Sequence, residues 1–216
     1  MTVRAAVLAL GCVAVVATPV AAQVPQYLGA DAGLARARFV STTPGGGELL
    51  TGVVATGQAR ARLGAFSVEA SYAQGHLAPD TGLATDRDLV DGSIFLSVRP
   101  LPWLIVRAGP HVRAYVASAG GTERWTHWEG RVRAEGAIVP DMLQVHVEAG
   151  LALASDVNAA AGASGARSAE AGLTLRSPQS QLWARLGYVV DLAKMKNGVR
   201  TEAVEMVVLS VGVGAR

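Results

Sequence analysis

Between Trp128 and Leu153, polar and apolar residues alternate on both sides of a short break. Glu129, Arg131, Arg133 and Glu135 precede Val139-Pro140-Asp141, and Gln144, His146 and Glu148 follow it. The positions between them are Val132, Ala134, Ile138, Leu143, Val145, Val147, Leu151 and Leu153. Successive strand side chains point to opposite faces, so period two predicts an antiparallel hairpin with one apolar and one charged face. A helix would smear the same charges around its whole circumference.

The period recurs along the chain and predicts ten strand-like segments, eight to ten being the expected total. The first, about 26–40, is ambiguous in phase, because Arg36 and Arg38 alternate out of step with Asp31. In the second, about 50–63, Thr56, Gln58, Arg60 and Arg62 oppose Val53, Ala55, Ala59, Ala61 and Leu63. The third runs to about Gln74 and sets Ser67, Glu69 and Ser71 against Phe66, Val68, Ala70 and Tyr72. The fourth, 88–99, opposes Asp91, Ser93, Ser97 and Arg99 to Val90, Ile94, Leu96 and Val98, and Pro100 is expected to end it. In the fifth, 103–117, the polar positions are Arg107, His111 and Arg113. The opening hairpin supplies the sixth and seventh. Ser168, Glu170, Thr174 and Arg176 mark the eighth, and Arg185 and Asp191 the ninth. The tenth, 201–214, is mixed, with Glu205 on the apolar face.

Connections are expected to alternate long and short, with five long loops (41–48, 75–87, 118–126, 155–166 and 194–200) at one end and four tight turns at the other. Outer-membrane barrels show this asymmetry.

Alternation does not say which face is wet. In one reading the apolar face is the core of a secreted, lipocalin-like barrel that binds a hydrophobic ligand. In the other it meets lipid, and the charged face fills a small lumen. Three features favour lipid. The apolar face continues far enough for the roughly 9 to 11 residues of a tilted transmembrane strand. Several apolar faces are built from Ala and Gly rather than space-filling core residues. The charged face uses Arg, Glu and Asp, while the only lysines, Lys194 and Lys196, fall in a predicted loop. Arg pairs with carboxylates bidentately in confined space.

The N-terminus adds a compartment. Arg4 precedes an apolar run from Ala5 to Ala17, Pro19 breaks it, and Val20-Ala21-Ala22 presents small residues to a processing enzyme. This predicts a signal peptide over 1–22 and a β-barrel domain over 23–216. The sole cysteine, Cys12, lies in that leader, so the remainder is expected to carry no disulfide or thiolate site. Without Arg4 the basic and acidic residues nearly balance, which argues against a nucleic-acid surface. No later stretch is long and apolar enough for a transmembrane helix.

The register makes the charges testable. Around the Pro140 turn, Arg133 falls opposite Glu148 and Glu135 opposite His146. Around Gly64-Ala65, Arg60 falls opposite Glu69. The expected lumen network comprises Arg60, Glu69, Asp91, Arg107, His111, Arg113, Glu129, Arg131, Arg133, Glu135, His146, Glu148, Glu170 and Arg185. It should act mainly as an interlocking filling, since a lone buried charge is costly.

With its Val20-Ala21-Ala22 leader end, alternating hairpins and long/short loop order, the chain resembles small bacterial outer-membrane β-barrel proteins. The resemblance implies an all-β, antiparallel up-and-down transmembrane barrel in contact with outer-membrane lipid. Phe66, Tyr72, Trp128 and Tyr188 are the best candidates for its outward aromatic girdle. Catalysis is not expected: His127 lies near Glu123 and Glu129, and His76 precedes Asp80, but neither falls in a matching motif. His spacing gives no metal site. Gly45-Gly46-Gly47 has no following helix to make a phosphate cradle, and no cofactor is expected. The roles left open are a narrow pore for small solutes past Arg107, Arg113, Arg131 and Arg133, a plugged structural or surface barrel, and the soluble ligand-binding barrel.

Overall fold

The computed structural model describes residues 27–80, 85–117 and 120–215. The predicted leader, with its processing site after Ala22, lies outside them.

Ten antiparallel strands close into one barrel: β1 (Tyr27–Thr43), β2 (Gly46–Leu63), β3 (Phe66–Pro79), β4 (Arg87–Leu101), β5 (Leu104–Ala117), β6 (Thr122–Val139), β7 (Leu143–Val157), β8 (Ala163–Arg176), β9 (Leu182–Met195) and β10 (Thr201–Ala215). Each strand pairs with its sequence neighbours, and β1 pairs with β10 from Leu28↔Ala215 to Thr42↔Thr201 to complete the ring. Closure leaves no strand as a free edge of the sheet, although the β7–β8 ladder runs only from Leu143↔Leu175 to Leu151↔Arg167.

The strands overrun their predicted ends mainly in one direction. The loop expected over 41–48 is a tight turn at Pro44-Gly45, because β1 and β2 stay paired out to Thr43↔Gly46. The remaining connections at that end are 80–86, 118–121, 158–162 and 196–200, each shorter than expected. Alternating hydropathy fades in these stretches, but backbone pairing does not depend on it. Proline does not stop β4 at Arg99 either: the strand runs to Leu101 with a register shift after Val98. In the 140–142 turn Asp141 adopts φ 59°, a left-handed conformation that Asp tolerates better than most residues. We call the end bearing the β1–β2 connection distal, and the end at Tyr27 and Ala215 terminal.

The apolar face is the outside. Leu28, Leu34, Val53, Ile94, Leu96, Val132, Leu151, Leu173, Leu186, Leu209 and Val211 are all exposed on the outer wall. An interior core of the lipocalin kind would bury these residues; here they form the outer wall. The outward apolar run ends distally at a polar residue on nearly every strand: Arg36 on β1, Asp88 on β4, Arg124 on β6, Asp156 on β7, Arg167 on β8, Lys194 on β9 and Glu205 on β10. Tyr72 and Trp128 are among the last outward residues below this ring, and Phe66 and Trp103 stand outward at the terminal end.

Closure resolves both phase anomalies of the sequence. Arg36 and Arg38 face outward while Asp31 faces in, and Glu205 also faces outward, opposite Arg38 in the β1–β10 register. Arg38 Nη1 donates to Glu205 Oε2 at 3.4 Å.

Candidate functional site

The interior charges come from alternate positions of neighbouring strands, so the local rule that builds each strand also aims them inward. Two glycines give them room. A Cβ at Gly150 would strike the Arg131 side chain at 2.8 Å, and one at Gly172 would strike His146 at 2.5 Å. Both long side chains lie across a neighbouring strand where only glycine leaves space.

These charges form one connected network. Arg60 Nε donates to Glu69 at 2.7 Å, and Glu69 accepts from Arg107 at 2.5 Å. Arg107 also donates to Glu148, which accepts from Arg133 at 2.8 Å and from Arg131 at 3.4 Å. Glu148 is thus the hub for three arginines. Arg133 continues to Glu170 at 3.3 Å, and Glu170 pairs with His146 at 2.8 Å. In the other direction Arg131 meets Glu129 at 2.6 Å, and Glu129 meets His111 Nδ1 at 2.8 Å. His111 Nε2 lies 3.0 Å from Asp91, Asp91 accepts from Arg113 at 2.6 Å, and Arg113 crosses the lumen to Asp191 on β9 at 2.5 Å. Both His111 ring nitrogens face carboxylates, and both can donate only in the imidazolium form. The guanidinium carbons of Arg107 and Arg131 lie 5.0 and 4.7 Å from the Phe95 ring centroid.

All fourteen residues named from the sequence face the interior, and three take partners other than those expected. Glu135 sits opposite His146 in the register, yet its carboxylate accepts from Arg99 at 2.5 Å while His146 turns to Glu170. Arg185 donates to the Gln58 carbonyl at 2.9 Å instead of joining the ion-pair chain. Register fixes which backbones are adjacent, but long side chains choose among several acceptors. The expected network omitted Phe95 and also Asp191, although Asp191 had marked the polar face of the ninth strand. Phe95 occupies the inward phase between Ser93 and Ser97, and that phase was the signal for it.

A second interior layer lies distal to the charges and is apolar. Phe39, Leu50, Val54, Leu77, Leu89, Tyr115, Trp125, Val157, Met195, Val204 and Met206 pack inside the barrel, with Phe39 and Tyr115 ring centroids 4.8 Å apart. Ion pairs cover it. Arg87 binds Glu48 with its guanidinium 5.5 Å from the Phe39 ring centroid, and Arg200 bridges Glu123 and Glu202. His127 belongs to this interior: it stacks on Trp125 at 5.8 Å, and its Nδ1 lies 3.0 Å from Ser155 Oγ. His76 faces outward beside Asp88 and Asp86, at 2.9 and 3.4 Å.

The interior retains two small cavities among the described residues. A cavity of about 120 Å³ lies among the charges against Asp31, Thr56 and Val208. Another of about 70 Å³ lies between Gln58, Gln144, Arg176, Trp183 and Arg185, near a cleft of about 310 Å³ at the terminal mouth. Among the described residues, no group of three His, Cys, Asp or Glu side chains is placed to hold a metal ion. None of their helices is long and apolar enough to cross a membrane, which says nothing of strands.

No family model matches the chain, and no curated protein matches it. Solved structures similar to it include Neisserial surface protein A, 12% identical with a TM-score of 0.40 over 87% of this chain and 95% of that one. The translocator domain of the autotransporter NalP from Neisseria meningitidis is 17% identical with a TM-score of 0.40, over 90% and 89% of the two chains. The attachment invasion locus protein Ail of Yersinia pestis is 12% identical with a TM-score of 0.36, over 89% and 100%.

Proposed function

We propose that this protein is an outer-membrane β-barrel whose lumen is closed by its own side chains, serving a structural or surface role rather than conducting solutes or catalysing a reaction. The observation that carries the membrane reading is the inside-out distribution. Apolar side chains ring the outer wall up to a polar collar, while the ionised groups lie within. Water would not favour that exterior, and exposed apolar surface on this scale marks a lipid or partner contact. The terminal end, with the tighter turns, then faces the periplasm, and the 1–22 leader directs export with cleavage after Ala22.

The layered interior supports closure. A solute moving past Arg107, Arg113, Arg131 and Arg133 would have to break ion pairs at each and then pass the Trp125 and Tyr115 layer beneath the Arg200 cover. The test has two parts. In isolated outer membranes, the unheated protein should migrate differently from the boiled protein on a detergent gel. In planar bilayers the folded protein should show no stable conductance steps. Recovery in the soluble periplasmic fraction without a heat shift would overturn the membrane reading. Reproducible conductance, reduced by Arg131→Ala or Arg133→Ala, would overturn closure.

A further inference from the structure

We propose that the terminal mouth of the lumen is a binding site for a small oxyanion, a phosphate or carboxylate group, held between Arg176 on β8 and Arg185 on β9. In the register Arg185 lies opposite Thr174 and Arg176 opposite Trp183, which makes the two arginines diagonal neighbours on one face. Diagonal positions are separated by roughly 7 to 8 Å at the backbone, within reach of long side chains. Both arginines line the same cavity of about 70 Å³.

Their partners set them apart from the other lumen arginines. Arg176 donates to the Gln144 side-chain carbonyl at 3.3 Å and Arg185 to that of Gln58 at 2.9 Å. Among the described residues, no carboxylate lies within ion-pairing distance of either. Arg60, Arg107, Arg113, Arg131 and Arg133, by contrast, all hold carboxylates. Two half-buried cations facing one cavity with only neutral acceptors leave uncompensated positive charge, which an oxyanion neutralises while accepting bidentate hydrogen bonds. Trp183 lines the same cavity, and its indole Nε1 is buried without a hydrogen-bond partner. Two carboxylates also line the cavity. Glu135 is already held by Arg99, whereas Asp31 opposes Arg185 directly, as does Glu170, which is itself held by Arg133 and His146. The proposal needs only the barrel and its register, and so stands or falls separately from the membrane location.

The test is calorimetric titration of the full barrel in neutral detergent with inorganic phosphate and, separately, with citrate. Either should bind saturably, with Kd below about 1 mM, and whichever binds more tightly assigns the class. Arg176→Gln and Arg185→Gln, each with a wild-type heat shift on a gel, should weaken binding at least about tenfold. Asp31→Asn should tighten it several-fold, a gain that misfolding does not produce. Arg36→Gln on the outer wall should leave it unchanged. Unsaturable heats with both anions, or equal binding by wild type, Arg176→Gln and Arg185→Gln, would overturn the site. So would loss of binding in Asp31→Asn.

Discussion

The two halves of the lumen fill the same kind of space by opposite means. In the distal half Leu50, Leu77 and Leu89 pack with Tyr115 and Trp125, and ion pairs appear as a cover at the rim, where Glu123 also accepts from Trp125 Nε1 at 2.9 Å. In the other half arginines and carboxylates interlock from Arg60 on β2 to Asp191 on β9. The apolar layer tolerates local change, since a lost methylene leaves a cavity and its neighbours relax. The charged layer is all-or-none, because each ion depends on those bonded to it and a survivor without a partner stays buried. The difference matters for closure. An apolar layer excludes water by packing, whereas a charged layer excludes ions only while its pairs remain complete.

Substitutions can break this comparison. The largest effect is expected at the hub. Glu148→Gln removes the carboxylate shared by Arg107, Arg131 and Arg133 and should destabilise the barrel by about 3 to 5 kcal/mol. Urea unfolding followed by the gel shift measures it, and a loss below about 1 kcal/mol would mean that water already satisfies these arginines. In the apolar half, Leu77→Ala should cost about 2 to 5 kcal/mol through lost packing and a residual cavity. Its loss should be insensitive to the charge state of the lumen, so an additive double variant with Glu148→Gln is the sharper test. Strong coupling would merge the two layers into one unit.

Phe95 tests an aromatic ring buried within the charged half. Phe95→Leu keeps an apolar side chain but removes the ring beside Arg107 and Arg131, and should cost roughly 0.5 to 2 kcal/mol. Phe95→Tyr, which retains the ring, should recover much of that loss if the ring face matters. The smallest effect belongs to the outer wall. Arg38 and Glu205 are 52% and 30% exposed and bonded at 3.4 Å, so Glu205→Gln should change stability by no more than about 1 kcal/mol. The change should shrink in high salt. An effect comparable to that of Glu148→Gln would mean that this pair is shielded from water instead of solvated.

Much of the site was legible because period two needs no tertiary information. Strand phase alone turned Arg107, His111, Arg131, Arg133 and Glu148 to one face, and hairpin turns fixed Arg60 against Glu69 and Arg133 against Glu148. The apolar half was illegible for the complementary reason. Where both faces of a strand are apolar, as around Leu50 and Val54 on β2, alternation carries no phase, and on β10 the outward Glu205 between Val204 and Met206 left the predicted strand 201–214 mixed.

By itself, then, the sequence determined the strands, their local register and a polar face distinct from an apolar one, because these follow from the two-residue repeat and from turns between neighbours. Only the tertiary structure decided which face lies inside and where the ring closes. It also decided which acceptor each arginine takes. Closure joins Arg38 to Glu205 across 167 residues, and Arg113 reaches Asp191 over the lumen between strands that never pair. Such contacts depend on barrel diameter and on competition among long side chains in a confined space, and neither is written in any one hairpin.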